Sequence, residues 1–117
     1  LEHFKLDGRV AEINEAAAAI SREAAGEQAR VIARALVERK LAACAQISTI
    51  ESVYTWQGST QNEQEFRVLV KTTQGRYPEV EAAIRELHSY DLPAIYAIGM
   101  VQVFEPYAEW VAANSSG

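Results

Sequence analysis

The sequence predicts an α+β domain in which an antiparallel sheet carries helices on one face. Three observations point to this class. Strand-like and helix-like segments alternate in the order β-α-β-β-α-β. Residues 65–73, EFRVLVKTT, alternate apolar and polar side chains, as expected for a strand with one buried face. Two helix-like segments each carry a single apolar stripe that could cover such a sheet.

The first part of the chain predicts a strand, a helix and a long second strand. We expect a strand from Ile13 to Ser21, ahead of an amphipathic helix, although the alanines in this stretch favour helix. Apolar residues then recur at helical spacing from about Ala24 to Lys40. β-Branched and aromatic residues are frequent in residues 42–57, which favours a strand there.

The second part of the chain predicts a hairpin, a helix and a further strand. Residues 58–62, GSTQN, supply a turn that joins the long strand to strand 65–73. The apolar positions 77, 80, 84 and 87 share one helical face, and Pro78 suits the first turn. Residues 94–103 are typical of a buried strand, and residues 104–113 of a short C-terminal helix.

This order is that of a ferredoxin-like (split β-α-β) sandwich, with an antiparallel sheet, two helices on one face and a short C-terminal helix. Apolar residues such as Leu69 and Ile98 would then alternate onto the opposite face of the sheet. They would leave an exposed apolar patch unless something covers it, and self-association is the simplest cover.

Length and composition indicate one folded domain. The chain has 117 residues, of which 49 % are hydrophobic and 23 % charged, as in ordinary globular proteins. We assign residues 13–113 to this domain, residues 1–12 to an N-terminal extension or an expression remnant, and residues 114–117 to a frayed tail. The formal net charge of −5 argues against nucleic acid as a partner, because binding to phosphates needs a basic patch.

Cysteine usage and hydropathy predict a cytoplasmic protein. The single cysteine cannot form an intramolecular disulfide, so nothing indicates an oxidising compartment. No run approaches the roughly eighteen apolar residues of a membrane span, and the N-terminus lacks the pattern of a signal peptide. Phosphate-loop, GxSxG and HExxH motifs are absent from the sequence, and we expect no enzymatic activity.

His88 and Cys44 are the candidate metal ligands. His88 follows the second predicted helix, where an imidazole can ligate a metal or interact with the helix C-terminus. Cys44 lies at a helix-to-strand junction, where one thiol without a neighbouring partner more often packs in a core than binds a ligand.

Aromatic and charged residues on the hairpin are candidates for an interface or cleft. Tyr54 and Trp56 are two residues apart, so their rings share one strand face. Glu63 and Glu65 share a face by the same spacing, and carboxylates near a turn are more often solvated or ion-paired than catalytic. Lys71 lies inside a strand and needs a partner, so we predict an ion pair with Glu63 or Glu65, within or between subunits.

Several segments, taken together and in order, resemble the CutA family of divalent-cation tolerance proteins: RALVERKLAACAQI, ESVYTWQG, EFRVLVKTT, ELHSYDLPAI and YAEWV. The resemblance extends from about Ala24 to Val111. It implies a ferredoxin-like protomer in a PII-like homotrimer and a role in tolerance of copper or other divalent metals. Through these motifs, it also makes Tyr90 and Trp110 candidates for the intersubunit cleft or interface.

Two positions depart from the metal-binding relatives. The resemblance implies copper ligands at the end of the first strand, where some bacterial members have cysteine, and at two adjacent histidines. Ser21 and Leu87 occupy two of these positions here, and only His88 matches. The implied ligand is copper (Cu2+) or another divalent cation, with Cys44 contributing only if the fold brings it near. The alternative is a PII-like signalling or scaffolding trimer whose clefts bind a small ligand or a protein.

Overall fold

The elements of the structure follow the predicted order. The computed structural model describes residues 13–21, 25–88 and 94–116, and the predicted cleft residue Tyr90 lies outside them. The elements are β1 (Ile13–Ser21), α1 (Ala25–Glu38), β2 (Cys44–Trp56), β3 (Ser59–Thr73), a short 3-10 helix (Gln74–Arg76), α2 (Tyr77–Leu87), β4 (Ile95–Gly99) and α3 (Glu105–Ala113). No helix within the described ranges is long and apolar enough to cross a membrane.

The four strands form one antiparallel sheet in the order β2-β3-β1-β4. Val70 of β3 lies between Ala16 of β1 and Ala45 of β2, and Ala16 also pairs with Ala97 of β4. The two strands at the centre are therefore not consecutive in the chain, because α1 and β2 lie between them in sequence. This arrangement confirms the predicted ferredoxin-like, α+β fold.

One face of the sheet, which we call the helix face, is covered by α1 and α2. Val68 and Val70 are almost completely buried there, as the alternation in residues 65–73 predicts. The buried residues that pack around them from the strands, both helices and the α1–β2 turn are Ala16, Ala18, Ala29, Ile32, Ala33, Leu36, Ala42, Val80, Ala83 and Ile84. Burial of these apolar groups is the main favourable contribution to folding.

The opposite face, which we call the open face, has only partial cover. Its strand residues alternate with those of the helix face and include Glu15, Ala17, Cys44, Gln46, Tyr54, Trp56, Glu63, Glu65, Arg67, Leu69, Lys71, Tyr96 and Ile98. Helix α3 covers one end, where Ala108 and Val111 pack against Ile13. Beyond that end, Tyr96 and Ile98 remain 48 % and 56 % exposed. The predicted exposure on this face is confirmed for Ile98, whereas Leu69 is partly buried.

The β2–β3 hairpin is longer than the sequence indicates. We expected a turn over residues 58–62, but the strands pair without interruption until Trp56 meets Ser59. The turn is only Gln57 and Gly58, whose φ angles of 51° and 83° are both positive, as a two-residue hairpin turn with the twist of the strands requires. Among the described residues, β1 pairs with β3 only as far as Glu65, so residues 51–56 and 59–64 pair with each other and project beyond the described part of β1.

The C-terminal part also differs from expectation. Strand β4 ends at Gly99, so residues 100–103 connect it to α3 instead of extending the strand to residue 103. The predicted frayed tail is wrong at Ser115, which is fully buried. Its carbonyl accepts a hydrogen bond of 2.9 Å from Nε of Arg76, and its hydroxyl donates to the carbonyl of Val111 at 2.7 Å. These bonds attach the end of α3 to the 3-10 helix before α2.

Candidate functional site

His88 lies at the C-terminal end of α2 and is buried. Its backbone N–H donates to the carbonyl of Ile84 at 2.8 Å and completes the last turn of the helix, while its own backbone is extended. The side-chain amide of Gln28, on α1, donates to the carbonyl of Leu87 at 2.7 Å. The two helices are therefore joined directly beside His88, which fixes the position of this residue relative to the sheet.

Cys44 does not share a site with His88 within one chain. Cys44 is the first residue of β2, and its neighbour Ala45 packs in the core of the helix face, so the thiol lies on the open face. Helix α2, which His88 terminates, packs on the other side of the sheet. Among the residues that the structure describes, no three His, Cys, Asp or Glu side chains converge into a group that could hold a metal.

Lys71 is the centre of a polar cluster on the open face, formed by Glu15, Cys44, Gln46, Lys71 and Tyr107. The Lys71 side chain is 12 % exposed, and its Nζ donates to Oε1 of Gln46 at 3.0 Å. Oε2 of Glu15, on β1, lies 3.9 Å from the same nitrogen. This ion pair supplies the partner that a largely desolvated ammonium group requires.

The predicted pairing of Lys71 with Glu63 or Glu65 does not occur within the chain. All three residues lie on β3. At about 3.3 Å per strand residue, Lys71 is roughly 20 Å or more from either glutamate along the strand. The position of Lys71 inside a strand indicates that it needs a partner, but only the β1–β3 register, which places Glu15 opposite Lys71, identifies that partner.

Cys44 and Tyr107 complete the polar cluster. Cys44 pairs with Lys71 across the strands, is partly buried and is a free thiol. Burial raises the pKa of the Tyr107 phenol, and the nearby Cys44 and Glu15 raise it further because they disfavour a second negative charge. The Tyr107 ring stacks on the Trp110 ring, with the ring centroids 5.8 Å apart. Trp110 is nevertheless 46 % exposed.

The hairpin carries the other candidate residues in two different environments. The Tyr54 hydroxyl donates to Oε1 of Glu63 at 2.8 Å, and both side chains are exposed. Trp56, at the end of β2, is 43 % exposed and is not part of the protomer core. Glu65 is only 8 % exposed, near the point where β1 ends. Glu63 and Glu65 thus lie on the same face of β3, but Glu63 is exposed and Glu65 is buried.

Sequence reasoning missed an exposed apolar segment between β4 and α3. Val101 is 97 % exposed and Phe104 is 76 % exposed, although the pattern placed the first in a buried strand and the second on the packed side of a helix. Hydrophobicity alone cannot distinguish a buried strand from an apolar linker. The available signal is the Gly99 residue at which the strand ends.

The fold and the open face define the class of the protein. It is a ferredoxin-like α+β domain of the PII-like type, in which α1 and α2 cover one face of the sheet and α3 covers one end of the other. The family model described as CutA1 divalent ion tolerance protein matches residues 9–114, and the chain belongs to this family.

Individual relatives agree with this assignment. The chain is 40 % identical over 90 residues to the divalent-cation tolerance protein CutA of Thermus thermophilus, covering 76 % of this chain and 87 % of that protein. The solved structure of the periplasmic divalent cation tolerance protein CutA from Archaeoglobus fulgidus has a TM-score of 0.83 at 31 % identity, covering 89 % of this chain and 99 % of that one. The PII-like protein CutA from Nostoc has a TM-score of 0.79 at 26 % identity and covers 87 % and 96 %.

Proposed function

We propose that the protein is a homotrimeric, copper-binding member of the CutA family that acts in the response to divalent metal ions. The observation that supports this proposal is the match of nearly the whole described chain to a family of divalent ion tolerance proteins. No catalytic activity is proposed. The cytoplasm remains the predicted location, while the relative from Archaeoglobus fulgidus is named a periplasmic protein.

Trimer formation is supported by what one protomer leaves uncovered. Tyr96 and Ile98 are about half exposed on the open face, and Val53 and Trp56 are exposed on the projecting hairpin. We infer that neighbouring copies cover these side chains, with strands of the hairpin adding to a neighbouring sheet. An obligate interface of this kind should bury more than about 2,000 Å² in total.

His88 is the proposed metal ligand. A neutral imidazole is a good ligand for Cu2+, but useful affinity requires two or more further donors. Since Ser21 and Leu87 occupy the positions of two ligands in some relatives, the remaining donors must come from elsewhere in the trimer. We therefore propose a dissociation constant in the micromolar range or weaker, with copper preferred to zinc in accordance with the Irving–Williams order.

Titration calorimetry with Cu2+ and Zn2+ tests this function. His88→Ala should weaken copper binding at about pH 7.5, and the wild type should bind more weakly at about pH 5.5, where protons compete for imidazole. The chain has only two histidines, so His3→Ala is the matched control and should bind like the wild type. Equal copper affinity of His88→Ala and the wild type at both pH values would exclude His88 as a ligand.

The second candidate function is a PII-like signalling or scaffolding trimer. Two observations favour it: the similarity to the PII-like protein CutA from Nostoc, and the lack of a three-residue metal-ligand group among the described residues. In this case the clefts between subunits bind a small ligand or a protein, and copper binding is incidental. A stable trimer whose copper affinity does not depend on His88 would support this function over metal binding.

A further inference from the structure

The peptide group between Leu87 and His88 is held at both of its polar atoms. Its N–H belongs to His88 and donates to the carbonyl of Ile84 at 2.8 Å, within α2. Its carbonyl belongs to Leu87 and accepts a hydrogen bond of 2.7 Å from Nε2 of Gln28, on α1. The last four carbonyls of a helix have no donor within that helix, and here the neighbouring helix supplies one.

This peptide group determines the direction in which the His88 side chain leaves the backbone. Helix α2 ends here, because His88 has φ −100° and ψ 145° and is extended. A peptide group is planar, so it turns as one unit. With both polar atoms bound, it cannot turn without breaking either the bond to Ile84 or the bond from Gln28. The orientation of His88 therefore depends on one bond within α2 and on one bond from α1.

The bond from Gln28 differs from the other described side-chain link between the same helices. Gln28 is half-buried and reaches the backbone beside His88. Arg39 instead pairs with the side chain of Glu86 at 3.5 Å, and the two side chains are 45 % and 64 % exposed. Both links join α1 to α2, but only the link from Gln28 reaches the peptide group that carries His88.

We propose that Gln28 is a positioning residue for the His88 imidazole, and that its hydrogen bond to Leu87 increases the affinity of the protein for Cu2+. The proposal rests on the proposed role of His88 as a metal ligand. A ligand that is already held in place loses less freedom when it binds. Removal of a residue that orients a metal ligand weakens binding by roughly 10–100-fold. Since Gln28 acts through the backbone and not on the ring, we expect the lower value.

Copper titration of the full-length chain compares Gln28→Met with Arg39→Met. Methionine is about as long as glutamine but has no donor, so Gln28→Met removes the hydrogen bond with little change in shape. Its dissociation constant for Cu2+ should rise roughly tenfold at neutral pH. Arg39→Met removes the other link and should bind copper like the wild type, and circular dichroism should show that both variants are folded. An equal loss in both variants, or no loss in Gln28→Met while His88→Ala binds weakly, would overturn the proposal.

NMR of the copper-free protein distinguishes failure of this proposal from failure of the proposed function. Histidine labelling gives two imidazole signals, because the chain contains only His3 and His88, and His88→Ala assigns them. In Gln28→Met the His88 signal should shift or broaden and the His3 signal should not. Gln28→Lys restores a donor and should return the His88 signal toward its wild-type position.

An unchanged His88 signal in Gln28→Met would refute the positioning role. Copper binding by His88→Ala that is as tight as that of the wild type would instead refute the metal-binding function. The imidazole signals would still decide whether Gln28 positions His88, because they are measured without copper.

Discussion

Replacement of Lys71 by methionine should destabilise the protein. Lys71→Met keeps the length and most of the apolar volume of the side chain, but it removes the charge that pairs with Glu15 and the donor to Gln46. Glu15 would then lose the ammonium group 3.9 Å away on the adjacent strand. The effect arises mainly from the carboxylate that remains, because an acid left without a partner must be hydrated where it lies.

The magnitude follows from the burial of the two side chains. Loss of one partner from a fully desolvated pair costs about 3–5 kcal/mol, and an exposed pair contributes about 1 kcal/mol or less. Lys71 is 12 % exposed and Glu15 is 34 % exposed, so the acid retains part of its hydration. We therefore expect Lys71→Met to lower the free energy of unfolding by about 1–2 kcal/mol. Cover of the open face by another copy would move this value toward the upper limit.

Guanidinium unfolding of a double-mutant cycle measures the interaction. The cycle compares Lys71→Met, Glu15→Gln and the combined variant, whose loss should be smaller than the sum of the single losses. Lys40→Met is the control, because Lys40 is exposed, and it should change stability by less than about 0.5 kcal/mol. An equally small change for Lys71→Met, or additive losses in the cycle, would refute the argument from a desolvated pair.

Three other perturbations test separate parts of the structure. Trp56→Ala should lower the free energy of thermal unfolding by about 2 kcal/mol, which is less than for a buried ring because Trp56 is 43 % exposed. An unchanged melting temperature would show that the ring packs against nothing. Since burial raises the pKa of Tyr107, stability should fall as pH rises above about 10, where the unfolded chain ionises first. Tyr107→Phe should show a smaller fall in urea titrations, and an identical pH profile would contradict this. Arg76→Ala should lower the free energy of unfolding by about 1 kcal/mol and speed amide hydrogen exchange near Ser115. Unchanged exchange would mean that the hydrogen bond from Arg76 to Ser115 does not hold the C-terminus.

The sequence predicts the fold of this protein well because long-range packing agrees with local pattern. Alternation in residues 65–73 identifies Val68 and Val70 as core residues, and both are almost completely buried. The helical stripe that includes Ile32 and Leu36 likewise covers the sheet as expected. In each case a periodic set of side chains determines the outcome, so no single residue decides it.

Predictions that depend on one or two residues failed more often. A turn can use Gln57 and Gly58 or a longer segment with nearly the same composition, and the choice depends on which residues adopt positive φ. The position of the C-terminus depends in part on a hydrogen bond between Arg76 and Ser115, which are more than thirty residues apart in sequence. Such contacts have no periodic signal, so sequence patterns cannot reveal them.

The candidate metal ligands illustrate the same limit at the level of the site. The motif identifies His88 and Cys44 as the two side chains that suit a soft or borderline metal. Whether His88 and Cys44 can bind one metal together depends on the face of the sheet on which Cys44 lies. That face is known only from the structure, in which Cys44 is the first residue of β2. Because Cys44 lies on the open face, its thiol could bind the same metal as His88 only across a subunit interface.

The register of the sheet determines which residue forms an ion pair with Lys71 of β3. Sequence reasoning pairs Lys71 with Glu63 or Glu65, across strands or across subunits, because a lysine inside a strand needs a partner. The register instead places Glu15 of β1 opposite Lys71, and the two side chains form an ion pair of 3.9 Å. A residue six positions away on the same strand is about 20 Å distant, whereas the residue directly opposite on the neighbouring strand is within reach of a side-chain ion pair, so the strand register and not the separation in sequence selects the partner.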